Sequence, residues 1–207
     1  MFPELSRDDV FRIETRRLWL RWPRIADAAA MARQAGTQAV AEATRHIPCP
    51  FSNAQANAVI LDARLANAGG DALILMLTPT ARPDDAIGVV SVTPGRGLLP
   101  ELGFWIGQTH WGKGIATEAA QAMIDITFGI TGLKGLSAAI MPANQGARRV
   151  LKRCGFELTG AGMMDAPARG GAQPGDFYRL ERATWSSLRQ WRSPRMIDSS
   201  QMQAAIA

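Results

Sequence analysis

The chain is poor in the residues that most often announce a mechanism. It carries two cysteines, two histidines and one tyrosine in 207 residues. Cys49 and Cys154 lack metal-ligand spacing, and there is no second pair to build a disulfide framework, so the sequence calls for no metal. Neither lies in an activated context, which argues against a covalent cysteine intermediate, and such usage suits a reducing cytoplasm. Long apolar runs are missing too: none approaches the roughly 18–20 residues of a membrane span. The first residues include Glu4, Asp8 and Asp9 and no apolar h-region, so no signal peptide is expected there. No internal repeat is visible. Arginines scatter along the chain without an aromatic-studded basic stripe, which argues against nucleic acid as the partner. The net charge of +5 is mild and fits a protein that holds a polyanionic ligand. A hydrophobic content of 47% against 20% charged residues indicates a soluble globular chain.

What is present is concentrated in one stretch, Glu101 to Gly129. Glu101 to Ile106 is a short aromatic and aliphatic run, as a buried strand should be. Trp111 follows, then Gly112 and Gly114 bracketing Lys113. Ile115, Ala119, Ala122, Met123, Ile126 and Ile130 recur at helical spacing and give one apolar face. A glycine-bracketed turn opening a helix bares the first backbone N–H groups and the positive end of the helix dipole. That arrangement suits a phosphate or pyrophosphate. Two better-known phosphate loops fit less well. A Walker A reading has Gly107, Gly112 and Lys113 in place, but Gly114 stands where Ser or Thr should hold magnesium. A dinucleotide fingerprint would need glycine at 112, 114 and 117, and position 117 is Thr. A purely structural turn is the remaining reading.

Around this stretch the chain reads as one domain over residues 1–195, with residues 196–207 as a flexible tail. Ile13 to Trp22 alternates Leu18 and Leu20 with Arg17, Trp19 and Arg21 and predicts a half-buried first strand. A short helix spans Ala26 to Gly36, with Asp27 in its first turn. His46 to Pro50 is a loop, because prolines 48 and 50 forbid regular structure. Ser52 and Gln55 form a capping box that opens a second helix, closed at Gly69-Gly70. Strands follow at Ala72–Leu77, Ile87–Thr93 and 101–106. After the long helix come a strand at Leu136–Met141 and a helix from Asn144 to Cys154, with Gly155 closing it. Cys154 shares helical register with Ala147, Val150 and Leu151 and is expected in the core. Short strands at Phe156–Thr159 and Phe177–Leu180 flank a Gly- and Pro-rich loop at 160–175, and Trp185–Trp191 adds a small helix. Ile197 to Ala207 is expected to fray. The order predicts an α/β, mixed α+β fold: a mixed sheet covered by helices on both faces.

Four stretches, in order, carry a family resemblance. They are Glu14-Thr-Arg-Arg-Leu-Trp-Leu-Arg21, Glu101-Leu-Gly-Phe-Trp-Ile106, Trp111-Gly-Lys-Gly-Ile-Ala-Thr-Glu-Ala119, and Asn144 through Arg149-Val-Leu-Lys-Arg-Cys-Gly-Phe156. Together the chain resembles the GNAT superfamily of acetyl-CoA-dependent N-acetyltransferases, in particular its RimJ/RimL-like branch. The resemblance implies a mostly antiparallel central sheet of about six to seven strands. It also implies acetyl-CoA as cosubstrate and acetyl transfer to a primary amine, either a protein N-terminus or a small molecule, by direct attack on the thioester. A non-catalytic acyl-CoA-binding sensor on the same fold is the alternative.

The resemblance assigns candidate residues. Trp111, Gly112, Lys113, Gly114, Ile115, Ala116 and Thr117 form the turn and first helical residues that would receive the pyrophosphate. Lys113 is read as a point charge there or as a solvated side chain. The pantetheine arm would bond the backbone of the central strand at Trp105 and Ile106, either of whose N–H groups is also a candidate for polarising the thioester carbonyl. Glu101 is the candidate general base, acting through water, or else a strand-end charge. Asn144 holds a water near the sulfur or caps its helix. The slot where many superfamily members place an acidic tyrosine falls near Leu151, and Tyr178 reads as a core aromatic. Ala147 stands where the branch often has Ser. Acceptor choice should lie with the first two helices, the His46–Phe51 loop and the 160–175 loop. The sequence is compatible with a monomer or a homodimer.

Overall fold

The structure, a computed structural model, describes residues 1–192. The described residues form one eight-stranded sheet in the order β1-β2-β3-β4-β5-β6-β8-β7. The expected first strand over Ile13–Trp22 is in fact two: β1 (Arg12–Glu14) and β2 (Leu18–Arg21), paired antiparallel with Ile13 opposite Leu20. The chain reverses at Thr15–Arg17, where the Thr15 N–H donates to the Leu18 carbonyl (2.9 Å) and the Leu18 N–H donates to the Thr15 hydroxyl (3.0 Å). This split supplies the eighth strand. Leu18 and Leu20 point into the core as the alternation predicts, but Arg21 does not face water. It is only 4% exposed and is held bidentately by Asp27 at 2.7 and 2.8 Å. Burial of that guanidinium is tolerable because the paired carboxylate offsets much of its desolvation cost.

Asp27 ends a 3₁₀ turn from which α1 (Ala28–Ala35) starts, and α2 (Gln38–Ala43) follows at once. At six residues α2 is too short to leave a periodic signature, and sequence reading missed it. Thr37 caps it by accepting the Val40 N–H. The Ser52–Gln55 capping box opens α3 (Asn53–Gly69), and Gly70 closes it in the left-handed conformation at φ +73°. β3 (Leu73–Pro79), β4 (Gly88–Thr93) and β5 (Glu101–Ile106) then form an antiparallel meander. A crossover through α4 (Ile115–Ile130) brings β6 (Gly135–Ile140) parallel to β5. α5 (Gln145–Arg153) follows.

The last strands overturn the expected 160–175 loop. β7 (Glu157–Ala166) and β8 (Gly171–Glu181) are a long antiparallel hairpin, turned by a short 3₁₀ segment at Pro167–Arg169. Glycine and proline misled here because β7 is a sheet edge and β8 outruns β6, whose pairing stops at Asp176. Pro174 thus lies where one flank of its strand is free, the position in which a sheet tolerates it. The terminal helix α6 (Arg182–Arg192) falls where expected. The tail expected at 196–207, frayed from Ile197, lies outside the described residues.

Strand alternation sorts the core onto two faces. Leu73, Leu75, Leu77, Val90, Val92, Leu102 and Ile106 pack with α4 and α5 through Ala119, Met123, Val150 and Leu151. Met76, Val89 and Trp105 pack with α1, α2 and α3 through Met31, Ala35, Val40 and Ile60. Helices therefore cover both faces. β5 contributes to both cores, which places its free end between the two helical layers.

Candidate functional site

That free end borders a gap. The recorded pairing of β5 with β6 is a single parallel pair, Glu101 with Ser137. The hydrogen-bond phase shows which backbone groups the gap exposes. The Gly107 N–H donates to the Ile87 carbonyl (2.8 Å), and the register sets Trp105 against Val89 and Gly103 against Ser91. Antiparallel ladders alternate, so Glu101, Gly103 and Trp105 direct their main-chain groups toward β4. Leu102, Phe104 and Ile106 direct theirs the other way. The Ser137 N–H bond to the Pro100 carbonyl (2.8 Å) has the same phase. Beyond it, the main-chain groups of Phe104 and Ile106 face the space β6 has vacated.

This space is a cavity of about 670 Å³, within the range of small-molecule sites. Phe104, Trp105 and Ile106 form one wall, and Ala39, Val40, Glu42 and Ala43 of α2 with Thr44 after it form another. Ala143 to Ala147 and the α5 residues Arg149, Val150 and Arg153 face them. Its far end is the glycine turn, with Trp111, Gly112, Gly114, Ile115, Ala116 and Thr117. Gly112 and Gly114 have φ of +72° and +75°, the left-handed region that glycine reaches without strain. Gly114 is the N-cap of α4 and, having no side chain, leaves the helix's first N–H groups uncapped by any side chain. The Trp111 indole N–H donates to the Ile106 carbonyl (2.7 Å), which ties the turn to the end of β5.

Of the residues nominated from sequence, Trp105, Ile106, Trp111, Gly112, Gly114, Ile115, Ala116, Thr117 and Asn144 all border this cavity. Lys113 does not. Its ammonium turns back to donate to the Thr109 carbonyl (2.8 Å). Glu101 is not on the cavity wall either. It lies at the opposite end of β5 in an ion pair with Arg45, both side chains being under a fifth exposed. Asn144 caps α5, its side-chain oxygen accepting the Ala147 N–H (2.9 Å) while its amide donates to the Ala43 carbonyl (3.0 Å). It thereby bridges α2 to α5. Tyr178 is 7% exposed and belongs to the core under α4 and α5, as Cys154 does.

Sequence reading missed Phe104, His110, Arg149 and Arg153. The two arginines repeat at i, i+4 on α5, a spacing that places them on one helical face and was available as a signal. His110 precedes Trp111, and burial together with the nearby Lys113 charge holds its imidazole below the ordinary value of 6.5. Among the described residues no group of three or more His, Cys, Asp or Glu is arranged to hold a metal, and no helix is long and apolar enough to cross a membrane.

The family model described as "Acetyltransferase (GNAT) domain" matches residues 17–157. Among curated proteins, "Probable N-acetyltransferase YjcK" of Bacillus subtilis (strain 168) is 39% identical over 84 residues, 39% of this chain and 46% of that protein. The chain spans about half the length of the curated relatives it matches, from 34% to 56%. Among solved structures, the ribosomal-protein-S5-alanine acetyltransferase of Vibrio fischeri superposes with a TM-score of 0.70 at 19% identity, over 84% of this chain and 98% of that one. Mycobacterium smegmatis RimJ in complex with CoA-disulfide gives 0.68 at 21% identity, over 80% and 82%. These two likenesses are likenesses of fold.

Proposed function

Because the chain belongs to the acetyltransferase (GNAT) domain family, we propose that it transfers an acetyl group from acetyl-CoA to a primary amine by direct attack on the thioester. The observation that carries this reading is the parting of β5 from β6 over a cavity that ends at the bare N-terminus of α4. The CoA pyrophosphate would take the N–H groups from Gly112 to Thr117, where charge-assisted bonds and the helix dipole favour it. The pantetheine arm would add to the free edge of β5 as a further strand does, on the main-chain groups of Phe104 and Ile106. Trp105 is a poorer candidate for that role, since its N–H and carbonyl belong to the ladder with β4. Trp111 already engages the Ile106 carbonyl, which leaves the Ile106 N–H aimed at the gap to polarise the thioester carbonyl.

The amine attacks the carbonyl carbon, the C–S bond breaks and the CoA thiolate leaves. Much of the rate would come from holding the two reactants in line. Glu101 and Trp105 share a strand face, and four residues at ~3.3 Å each separate their Cα atoms by roughly 13 Å. A proton leaving the amine would therefore reach Glu101 through water. Arg45 engages one oxygen of that carboxylate and leaves the other for the relay. The acceptor would enter beside the joined His46–Phe51 loop and tip of the β7–β8 hairpin. These two segments meet beside Glu101, where the Ala168 N–H donates to the Arg45 carbonyl and Arg169 donates to that of Ile47.

The names of the curated relatives in Bacillus support the N-acetyltransferase reading. The deciding experiment is a turnover assay with acetyl-CoA and a panel of amines that includes peptides with free N-termini. Release of CoA that depends on one amine class supports the reading and names the acceptor. Tight acetyl-CoA binding with no turnover on any amine would make the protein an acyl-CoA-binding sensor.

A further inference from the structure

The reversal at Thr15–Arg17 is bound to the glycine turn, about 100 residues away in sequence, by a cluster of bonds on one carboxylate. Glu118 lies in the first turn of α4. Its Oε1 accepts from the Thr15 hydroxyl (2.6 Å) and the Arg17 backbone N–H (2.9 Å), and its Oε2 accepts from Arg17 Nε (2.6 Å). The other end of the same guanidinium reaches the turn itself, with Arg17 Nη1 donating to the Lys113 carbonyl (2.9 Å). Arg17 Nη2 comes within 3.5 Å of where a Cβ would stand on Gly114. Arg17 is in turn held from behind, because its carbonyl accepts the Thr80 N–H (3.0 Å). One planar, rigid fork thus spans the helix's first turn and the residue between the two glycines.

Two physical problems of the turn are met by this fork. Gly112 and Gly114 give it the required left-handed conformation but no stiffness, since glycine is the residue with most backbone freedom to lose. A carboxylate in the first turn of α4 would also repel a pyrophosphate arriving at the same helix end. Burial pushes the Glu118 carboxyl up, but hydrogen bonds from Thr15 and Arg17 outweigh it and hold the group below its ordinary 4.5, so it is ionised at neutral pH. Arg17 offsets that charge where it stands.

We infer that Arg17 and Glu118 form a positioning clamp that pre-sets the Gly112–Gly114 turn for the CoA pyrophosphate, without touching the reacting atoms. The inference rests on acetyl-CoA being the donor. Its energetic content is preorganisation, the ordering of the turn before the ligand arrives. Arg17 stands at the head of the Arg-Leu-Trp-Leu-Arg run, so that segment has a role beyond supplying the strand β2.

The test compares wild type, Arg17→Ala, Arg17→Lys, Glu118→Gln and the Arg17→Ala/Glu118→Gln double variant. CoA affinity is measured by calorimetric titration, and acetylation kinetics are measured with acetyl-CoA and with S-acetyl-pantetheine, a donor without the pyrophosphate. Arg17→Ala is expected to weaken CoA binding about tenfold and to raise the KM for acetyl-CoA equally, the size of one lost charge-assisted contact. Its kcat at saturating acetyl-CoA and its kcat/KM with S-acetyl-pantetheine should stay within about threefold of wild type. Arg17→Lys, which lacks the fork, should recover only part of the loss. The double variant should bind no more weakly than the worse single variant, because both act through one contact. Wild type that binds CoA alongside an Arg17→Ala variant that binds it equally well overturns the clamp and leaves the acetyl-CoA reading standing. Equal losses with both donors, or additive losses in the double variant, overturn it as well, since they mark a general structural role. Failure of the wild type to bind CoA overturns both readings together.

Discussion

The glycine turn makes a quantitative claim that three alanine substitutions separate. In the free protein neither glycine is crowded. A Cβ on Gly112 would meet nothing within 4 Å, and one on Gly114 would meet only Arg17 Nη2 at 3.5 Å, an ordinary contact. The cost of alanine there is therefore conformational, about 1–2 kcal/mol for an L-residue held in the left-handed region. For a chain of this size each kcal/mol lowers Tm by roughly 2–4 °C, so each variant should stay folded with Tm down by about 2–8 °C. Binding should suffer more. If the residue keeps its φ, the methyl group stands in the phosphate's approach. If the backbone relaxes, an N–H turns away from the phosphate. Either way about one charge-assisted hydrogen bond is lost, net 1.5–3 kcal/mol, or about ten- to a hundredfold in Kd. Lys113→Ala removes an exposed ammonium bonded to its own turn. Its effect should stay within about fivefold, the range of exposed charges. Calorimetric titration with CoA, run beside thermal melts, reads both quantities. Should Gly114→Ala bind CoA like wild type while folded, or Lys113→Ala lose more than Gly114→Ala, the backbone-cradle argument is refuted.

Acetyl-CoA at 100 times its Kd should stabilise the protein by about 2.7 kcal/mol and raise Tm by roughly 5–10 °C, and no shift at millimolar ligand counts against the site. Glu101→Gln should lower kcat/KM on an α-amino acceptor by about ten- to a hundredfold with acetyl-CoA affinity intact; unchanged kinetics would leave Glu101 as a partner for Arg45 alone. Asp27→Ala strands the buried Arg21 charge and should cost about 3–5 kcal/mol in urea unfolding, whereas replacing both residues by apolar ones of similar size should cost far less. His110 titrates below its ordinary 6.5 in the folded chain, so the unfolded chain takes up the proton first and stability falls as pH drops below about 6.5. Melts between pH 7.5 and 5.5 should show a shallower decline for His110→Gln than for wild type, and identical slopes would contradict the burial argument.

Much of the fold was legible because its signals are local. The Ser52–Gln55 capping box, the Gly70 stop, the Asn144 cap and the apolar spacing of α4 each fix an element within a few residues of chain. The errors share the opposite character. Whether Thr15–Arg17 continues a strand or reverses it depends on Glu118, which receives the donors of that turn from across the molecule. Whether Pro174 and the glycines of the 160–175 stretch break a strand depends on whether a neighbour needs their hydrogen bonds, and β6 ends before it would. Arg21 alternates like a solvent-facing residue, yet Asp27, six residues on, buries it by neutralising it. In the first two cases the deciding partner is remote in sequence, and in the third it is near in sequence but belongs to the next element.

The candidate site divides along the same line. Residues of the glycine turn were nominated from the sequence, and the fold gathers them on one cavity wall, because a left-handed turn at a helix start is written in glycine itself. Lys113 is the exception, since where a flexible ammonium turns is settled by a nearby carbonyl. The central strand shows a deeper limit. Side-chain alternation correctly groups Glu101, Gly103 and Trp105 on one face, and residues that share a face also direct their main-chain groups to the same side of the strand. Which neighbour lies on that side depends on the order of the strands in the sheet, and no side-chain pattern records it. Here the Gly107–Ile87 bond fixes the phase, and it turns the main-chain groups of Trp105 away from the gap and those of Phe104 into it. Any residue except proline supplies the N–H and carbonyl that a pantetheine arm needs. The constraint on positions 104 and 106 is therefore carried by the register of β4 against β5 rather than by the identity of the side chains there. The side chains at those two positions remain free to serve the core, as Phe104 and Ile106 do from the α4 face.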